Sequence, residues 1–166
     1  MIRGGAGGQR SEAFSGVPAC RGFPDYRLEG GGYTLRFDGL FMPSSLGRVL
    51  VVEDEPEVGA MLREVLVQLG YTVELADRGA EALRLAPVFE PDVVLLDLTL
   101  PEMSGIEVLD HLRRDRPTVR VVIMSGNQDA EVARATLTSG AFDYLCKPFN
   151  IDVLARVVAA AVALPG

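Results

Sequence analysis

The sequence predicts an α/β protein: a doubly wound, five-stranded parallel sheet with helices on both of its faces. From about residue 46 onward, short apolar runs rich in β-branched residues alternate with amphipathic stretches of helical period. The alternation repeats five times, which indicates a (βα)5 order. Polar residues follow the apolar runs, at the edge where ligands of parallel sheets bind.

The first half of this domain begins with a strand and a long helix. Residues 48–52 (RVLVV) suit a strand buried on both faces. Pro56 is well placed to open a helix that Gly70 ends. Its apolar residues recur at helical spacing, at Val58, Met61, Leu62, Val65, Leu66 and Leu69. Residues 71–76 are then predicted as the second strand and 80–85 as a short second helix.

The third strand and its helix are marked by local signals. Residues 92–96 (DVVLL) form another buried apolar run. Ser104 and Glu107 have the spacing of a capping box, in which each side chain accepts a hydrogen bond from the backbone N–H of the other. A helix over 105–114 is therefore expected, ending before Pro117.

The last four elements continue the alternation. They are a strand over 120–124 (RVVIM), a helix over 130–138, a strand over 142–146 and a helix over 152–164. Asn150 is expected to cap the last helix, because a side-chain oxygen there can accept from the first free N–H groups.

The N-terminal stretch differs in composition from the rest of the chain. Residues 1–41 hold ten of the eighteen glycines and lack a helical or alternating apolar period. We therefore expect a disordered leader over 1–45 and one folded domain over 46–166. The leader is either a flexible segment of the protein or the product of a start assigned upstream of a natural start at Met42.

Charge and composition narrow the classes of function. The net charge is −7 and Lys147 is the single lysine, which argues against a direct nucleic-acid surface. The longest apolar run, 157–164, is too short to cross a bilayer, so no membrane partner is expected. Cys20 and Cys146 lack the spacing of a zinc or redox site, and no secretory segment is apparent, which favours a reduced, cytoplasmic protein.

Polar residues stand where four of the predicted strands end. Glu53 and Asp54 follow the first strand, Asp97 the third, Ser125 the fourth and Lys147 the fifth. Because the carboxyl ends of parallel strands meet at one edge, these side chains should converge. Three carboxylates brought together repel one another unless a cation neutralises them, and oxygen ligands favour Mg²⁺.

This set of residues suits phosphoryl transfer. A carboxylate beside a metal can attack the phosphorus of a phosphohistidine, while a lysine balances charge and a hydroxyl donates a hydrogen bond. Asp97, Lys147 and Ser125 fit these three roles. Taken singly, each has an ordinary explanation as a helix cap, a solvated turn or a loop hydroxyl. Their joint occurrence at strand ends supports the prediction of a phosphoryl-transfer site.

Four segments resemble the receiver domains of response regulators in order and spacing: VLVVEDEP, PDVVLLDLTLPEMSG, VVIMSG and AFDYLCKPF. The resemblance covers essentially all of residues 48–164. It implies a flavodoxin-like fold with the strand order 2-1-3-4-5 and a Mg²⁺-dependent phosphorylation site.

The resemblance also implies a role for each matching residue. Asp97 aligns with the phosphoacceptor, Asp54 with a direct metal ligand and Glu53 with an acid that acts through water. The backbone carbonyl of Thr99 would complete the metal shell. The remaining positions match the hydroxyl switch (Ser125), the aromatic switch (Tyr144), the phosphate-binding lysine (Lys147) and a proline usually preceded by a cis bond (Pro148).

Four positions depart from the family pattern or vary within it. Glu53 stands where aspartate is commoner, and Cys146 fills a variable position. Thr99 and Asn127 occupy variable positions that should tune dephosphorylation.

The function implied is a signalling switch and not a multiple-turnover enzyme. Asp97 would accept a phosphoryl group from a histidine kinase or phosphotransfer protein, and an output protein would bind the face of the fourth helix, fifth strand and last helix. Because the sequence stops at Gly166, directly after that helix, we expect the output to pass through a partner.

Two alternatives remain beside this prediction. The first is a receiver-like interaction module that works without phosphorylation. Such a module would be expected if one of the acids or Lys147 were missing from the site. A phosphatase of the haloacid dehalogenase type needs a second aspartate two residues after the nucleophile, and Thr99 occupies that position.

Overall fold

The computed structural model describes Tyr26–Glu29, Gly32–Leu35, and residues 45–126 and 130–163. Contacts divide the chain into two units, Met1–Phe41 and Met42–Gly166. Met42 itself, Cys20 and Asn127 lie outside the described residues.

The first unit contains a short antiparallel pair of strands. Tyr26–Glu29 pairs with Gly32–Leu35, with Tyr26 opposite Leu35. These eight residues lie within the stretch 1–45 for which a disordered leader was expected. The signal was present in the sequence: YRLE and GYTL alternate apolar and polar residues on either side of two glycines, which is a hairpin pattern.

The second unit is built on a five-stranded parallel sheet. Its strands are β1 (Arg48–Val52), β2 (Thr72–Ala76), β3 (Val93–Asp97), β4 (Arg120–Ser125) and β5 (Asp143–Cys146). Their order across the sheet is β2-β1-β3-β4-β5, and each neighbouring pair is parallel. This confirms the predicted doubly wound, flavodoxin-like α/β fold.

Five helices connect and follow the strands. They are α1 (Pro56–Gln68), α2 (Gly79–Phe89), α3 (Gly105–Asp115), α4 (Ala130–Thr138) and α5 (Ile151–Ala163). The predicted end of α5 at Leu164 lies outside the described residues. The longest of these helices have 13 residues, and none that the structure describes has the length and apolar character to cross a membrane.

Helix α2 is longer than its predicted range of 80–85. It continues to Phe89 with Pro87 inside it, and ends where Glu90 takes a left-handed conformation with φ of 48°. Proline removes one hydrogen bond of the helix. Here that loss falls in the last turn, where burial of Ala86 in the apolar core supports the helix.

The apolar core forms two layers, one on each face of the sheet. Alternate residues of a strand point to opposite faces, so Val49 and Val51 lie in one layer and Leu50 and Val52 in the other. Helices α1 and α5 cover the first layer through Leu62, Leu66, Leu154 and Val158. Helices α2 and α3 cover the second through Ala82, Ala86, Val108, Leu109 and Leu112.

The start of α3 is held by the predicted capping box. The Ser104 hydroxyl accepts a hydrogen bond from the Glu107 N–H at 3.3 Å, and the Glu107 carboxylate accepts from the Ser104 N–H at 2.9 Å. The Gly105 N–H donates to the Leu98 carbonyl at 3.1 Å. Together these bonds define the loop that leaves β3 after Asp97.

Candidate functional site

Three carboxylates meet at the carboxyl edge of the sheet. Glu53 and Asp54 follow β1, and Asp97 ends β3, the neighbouring strand. One ligand oxygen from each of the three lies within 4.8 Å of the others. Glu53 and Asp97 are buried, at 4% and 5% exposure, whereas Asp54 is exposed. The cluster is therefore a small acidic pocket that opens to solvent at Asp54.

Lys147 supplies the positive charge of this pocket. Its ammonium donates to Asp97 Oδ2 at 2.5 Å and to Glu53 Oε2 at 2.6 Å. The residue follows β5, and its backbone N–H donates to the carbonyl of Ser125 at 2.7 Å. The peptide bond between Lys147 and Pro148 is cis. A single cation thus bridges two buried carboxylates that come from different strands.

The second carboxylate oxygen of Asp97 also has a donor. The backbone N–H of Thr99 donates to Asp97 Oδ1 at 2.7 Å. Thr99 itself is exposed in the loop between β3 and α3. Because one oxygen faces Lys147 and the other faces the loop, the orientation of the Asp97 carboxylate is well defined.

The two oxygens of Glu53 differ in their surroundings. Oε2 accepts from Lys147, whereas Oε1 is buried without a hydrogen-bond partner. Burial raises the pKa of Glu53 above its ordinary value, and this effect outweighs the lowering that Lys147 causes. Burial lowers the pKa of Lys147, but the hydrogen bonds to Asp97 and Glu53, together with the negative charges of both carboxylates, outweigh it, so that this pKa lies above its ordinary value.

Ser125 lies at the same edge, and Tyr144 lies deeper along the neighbouring strand. Ser125 ends β4 with 2% exposure, and in the sheet register it stands beside Cys146. Tyr144 stands beside Ile123 and packs against the apolar layer beneath α2 and α3. The structure therefore places Ser125 with the acids and Lys147, and Tyr144 within the adjoining apolar layer.

Gly105 lies beside the pocket, whereas its sequence context predicts only the start of a helix. A Cβ atom at this position would lie 2.3 Å from the backbone oxygen of Asp97 and 2.7 Å from Leu98 Cα. Both are backbone atoms, which cannot move aside as a flexible side chain can. The sequence did contain an indication of this contact. Glycine has a low helix propensity, so a glycine at the first position of a helix suggests that a larger side chain does not fit there.

The donor set of the pocket suits a hard divalent cation. All three side chains offer oxygen, which Mg²⁺ prefers. The unpartnered Oε1 of Glu53 provides a buried acceptor that a water or an ion can satisfy. These residues define the class of the site: an acidic pocket that could hold a cation, at the carboxyl edge of a doubly wound α/β sheet.

Comparison with known proteins shows the family. The sequence model of the response regulator receiver domain matches residues 49–159, and the chain belongs to this family. The transcriptional regulatory protein KdpE of Mycobacterium tuberculosis (strain H37Rv) is 48% identical over 113 residues, which are 68% of this chain and 50% of the relative. The regulatory protein AtoC of Escherichia coli K12 is 37% identical over 121 residues, 73% of this chain and 26% of AtoC.

Solved structures agree with this assignment. The receiver domain of the Francisella response regulator 1452 has a TM-score of 0.67 and 32% identity, and the match covers 70% of this chain and 96% of that one. This chain spans half or less of the length of KdpE and AtoC.

Membership of the family places the chain in two-component signalling. Receiver domains are signalling switches that bind Mg²⁺ at an acidic pocket and interact with histidine kinases and output domains. In this chain the acidic cluster of Glu53, Asp54 and Asp97 could hold such an ion.

Proposed function

We propose that this chain is a phosphorylation-dependent switch in which Asp97 accepts a phosphoryl group from a histidine kinase or phosphotransfer protein. One observation carries the proposal: the Asp97 carboxylate lies in a buried acidic pocket with its Oδ2 atom 2.5 Å from the Lys147 ammonium. A buried acid at a strand end, paired with a lysine and flanked by two further acids, is arranged for reaction with a phosphorylated donor.

Mg²⁺ would be held by Asp54 and Asp97, with Glu53 acting through a water and the Thr99 carbonyl as a further ligand. The all-oxygen donor set and the unpartnered Glu53 Oε1 support this assignment. When bound, the ion supplies positive charge that offsets the negative charge of the transferring phosphoryl oxygens.

The transfer itself is a substitution at phosphorus. A carboxylate oxygen of Asp97 attacks, the new P–O bond forms, and the P–N bond of the donor phosphohistidine breaks. The electron pair of that bond goes to the imidazole, which leaves and takes up a proton. The Lys147 ammonium is already in contact with Asp97 and can follow the phosphoryl oxygens as they arrive. The buried Ser125 hydroxyl donates a hydrogen bond to one of these oxygens.

The switch would follow from the new charge on Asp97. A phosphoryl group adds about −1.5 to −2 charges. Movement of Ser125 and Tyr144 toward that charge would change the face formed by α4, β5 and α5. Leu137 on α4 and Ile151 and Val153 on α5 are exposed apolar side chains that an output partner could cover.

Treatment of the purified chain with acetyl phosphate and Mg²⁺ tests this function. Intact mass spectrometry should show one phosphoryl adduct on the wild-type chain and none on Asp97→Asn. The matched control is Asp110→Asn, which changes an exposed aspartate of α3 and should leave the adduct unchanged. Absence of the wild-type adduct, or its persistence in Asp97→Asn, would overturn the proposal.

A further inference from the structure

A groove runs between the C-terminal halves of α2 and α3, the two helices that cover one face of the sheet. Its volume is about 190 Å³, which is below the range of about 300 to 1,000 Å³ typical of small-molecule pockets. Four apolar residues line it: Leu83, Ala86, Pro87 and Leu112. The size and the apolar lining suit a single apolar side chain better than a whole small-molecule ligand.

The rim of the groove on the side of α3 is polar. It is formed by His111, Asp115 and Arg116, and Arg114 is exposed on the same turn of the helix. Between residues 110 and 116, three arginines stand against two aspartates, although residues 42–166 hold 11 basic and 19 acidic residues. The end of α3 is therefore a locally positive segment of a negatively charged domain.

Two of these arginines have no acid partner in the part of the chain that the structure describes. Arg113 Nη1 donates to the carbonyl of Pro117 at 2.8 Å. No ion pair within residues 45–126 and 130–163 involves Arg114 or Arg116. Positive charge near a helix C-terminus is favourable in itself, which explains why arginines occur there. It does not explain the apolar groove beside them.

The groove and the arginines together define the chemistry of a partner. An apolar side chain in the groove would be removed from water, and carboxylates beside Arg114 and Arg116 would form charge-assisted hydrogen bonds. A nucleic acid fits less well, because the negative charge of the domain repels a long polyanion and the groove is lined by apolar side chains. A short acidic segment would contact only the positive end of α3.

The groove is remote from the acidic pocket. Helix α3 begins beside Asp97 and has 11 residues, so at about 1.5 Å per residue its two ends lie roughly 16 Å apart. The residues that line the groove belong to α2, to α3 and to the position directly after α3. A partner in the groove therefore leaves open both the acidic pocket and the face of α4, β5 and α5.

We propose that the groove between α2 and α3 is a docking site for an acidic segment of a partner protein. One apolar side chain of the segment occupies the groove, and the carboxylates on either side of it bind Arg114 and Arg116. The charge of the segment is thus complementary to the end of α3. This site is separate from the phosphorylation proposed for Asp97, and its occupation does not require that phosphorylation.

An NMR titration of the whole chain, labelled with ¹⁵N, tests the site. The probe is a synthetic peptide of about ten residues, with one leucine flanked on both sides by glutamates. The amide signals of Leu83, Leu112 and Arg116 should shift together as the peptide is added, whereas the signal of Asp97 should not. If no signal of the groove shifts at millimolar peptide, the inference is wrong.

Charge reversal separates the local arginines from the net charge. The double variant Arg114→Glu with Arg116→Glu should bind the peptide about tenfold more weakly, because two attractive contacts become repulsive. The matched control is Arg63→Glu with Arg156→Glu, which changes exposed arginines of α1 and α5 on the other face of the sheet. The control should weaken binding by less than about twofold, because salt screens distant charges. Equal losses in the two double variants would overturn the inference.

Two altered peptides test the apolar anchor and the charge of the segment. Replacement of the leucine by serine should weaken binding about tenfold, because the apolar burial in the groove is lost. Replacement of the glutamates by lysines should abolish binding, because the arginines then repel the peptide. A serine peptide that binds as tightly as the leucine peptide would show that the groove holds no anchor.

Other occupants of the groove give different results. Self-association of the wild-type chain in sedimentation velocity that is lost in Arg114→Glu with Arg116→Glu would assign the groove to a second copy of the chain. A short single-stranded DNA that shifts the groove signals at lower concentration than the peptide would assign it to nucleic acid. Either result overturns the proposal of an acidic protein segment.

Docking and phosphorylation can fail separately. Both double variants should keep the circular dichroism spectrum of the wild type and should form the Asp97 adduct with acetyl phosphate at the wild-type rate. Loss of peptide binding with normal adduct formation concerns the groove alone. If the wild-type chain binds the peptide but forms no adduct on Asp97, only the proposed function fails.

Discussion

Position 105 has no room for a Cβ atom, because the backbone oxygen of Asp97 lies 2.3 Å from where that atom would stand. The first turn of α3 therefore packs directly on the end of β3. This contact, together with the Thr99 N–H that donates to Asp97 Oδ1, fixes the loop that follows the candidate phosphoacceptor. The stability of α3 and the geometry of the pocket thus depend on one another.

Replacement of Gly105 by alanine should destabilise the domain. The added methyl group must displace backbone atoms of Asp97 and Leu98, which we expect to cost about 3 kcal/mol. Urea unfolding followed by circular dichroism measures the loss. Gly59→Ala is the matched control: its Cβ would meet neighbours at ordinary contact distance inside α1, so it should be neutral or stabilising by up to about 1 kcal/mol. Equal midpoints for Gly105→Ala and the wild type would contradict the steric argument.

Removal of the Lys147 charge should leave two buried carboxylates uncompensated. We expect Lys147→Met to lose about 2 kcal/mol of stability at neutral pH without Mg²⁺, less than for a fully buried ion pair because the lysine is partly exposed. Mg²⁺ should restore more stability to this variant than it adds to the wild type, since it replaces the missing positive charge. Thermal unfolding with and without Mg²⁺ measures both effects. If Lys147→Met is as stable as the wild type in the absence of Mg²⁺, the Lys147 bridge between Glu53 and Asp97 does not stabilise the fold.

The capping box of α3 should contribute stability that depends on pH. Ser104→Ala removes the cap and should cost about 1 kcal/mol at neutral pH. The Ser104 backbone N–H, together with its hydroxyl, holds the pKa of Glu107 below its ordinary value of 4.5. A carboxylate with a lowered pKa in the folded state stabilises the fold above the ordinary pKa, and this contribution is lost as pH falls through the folded pKa.

The stability difference between the wild type and Glu107→Gln should therefore be largest at neutral pH and shrink below about pH 4.5. Urea unfolding at a series of pH values measures it. Glu57→Gln removes an acid from the first turn of α1, whose N-cap Glu55 makes no side-chain capping bond, and serves as the control. A difference for Glu107→Gln that does not change with pH would rule out the linkage.

The Ser125 hydroxyl should speed phosphoryl transfer without being essential to it. Ser125→Ala should still form the adduct on Asp97, but about tenfold more slowly, because one hydrogen bond to a charged oxygen is lost. The initial rate of adduct formation with acetyl phosphate measures this effect. Thr72→Ala removes an exposed hydroxyl of β2 and should leave the rate unchanged. A wild-type rate in Ser125→Ala would remove Ser125 from the proposed site.

Local patterns in the sequence were sufficient for most of the fold. Apolar runs predicted β1, β3 and β4, since a strand buried on both faces must be apolar throughout. The edge strands β2 and β5 were predicted from their place in the alternation of strands and helices. The Ser104 and Glu107 pair predicted the start of α3, because both partners of a capping box lie within one turn. The departures were also local: the strand pair Tyr26–Glu29 and Gly32–Leu35 was not predicted, and α2, which has Pro87 in its last turn, was predicted too short.

The sequence by itself determined which polar residues stand at the strand ends, because the strand pattern and the chemistry of each residue are properties of short segments. Only the tertiary structure showed that Lys147 bonds to Glu53 as well as to Asp97, across 94 and 50 residues of chain. It alone showed that Gly105 abuts the Asp97 backbone. Such contacts depend on the register between strands and on the length of individual side chains, and no local pattern in the sequence carries that information.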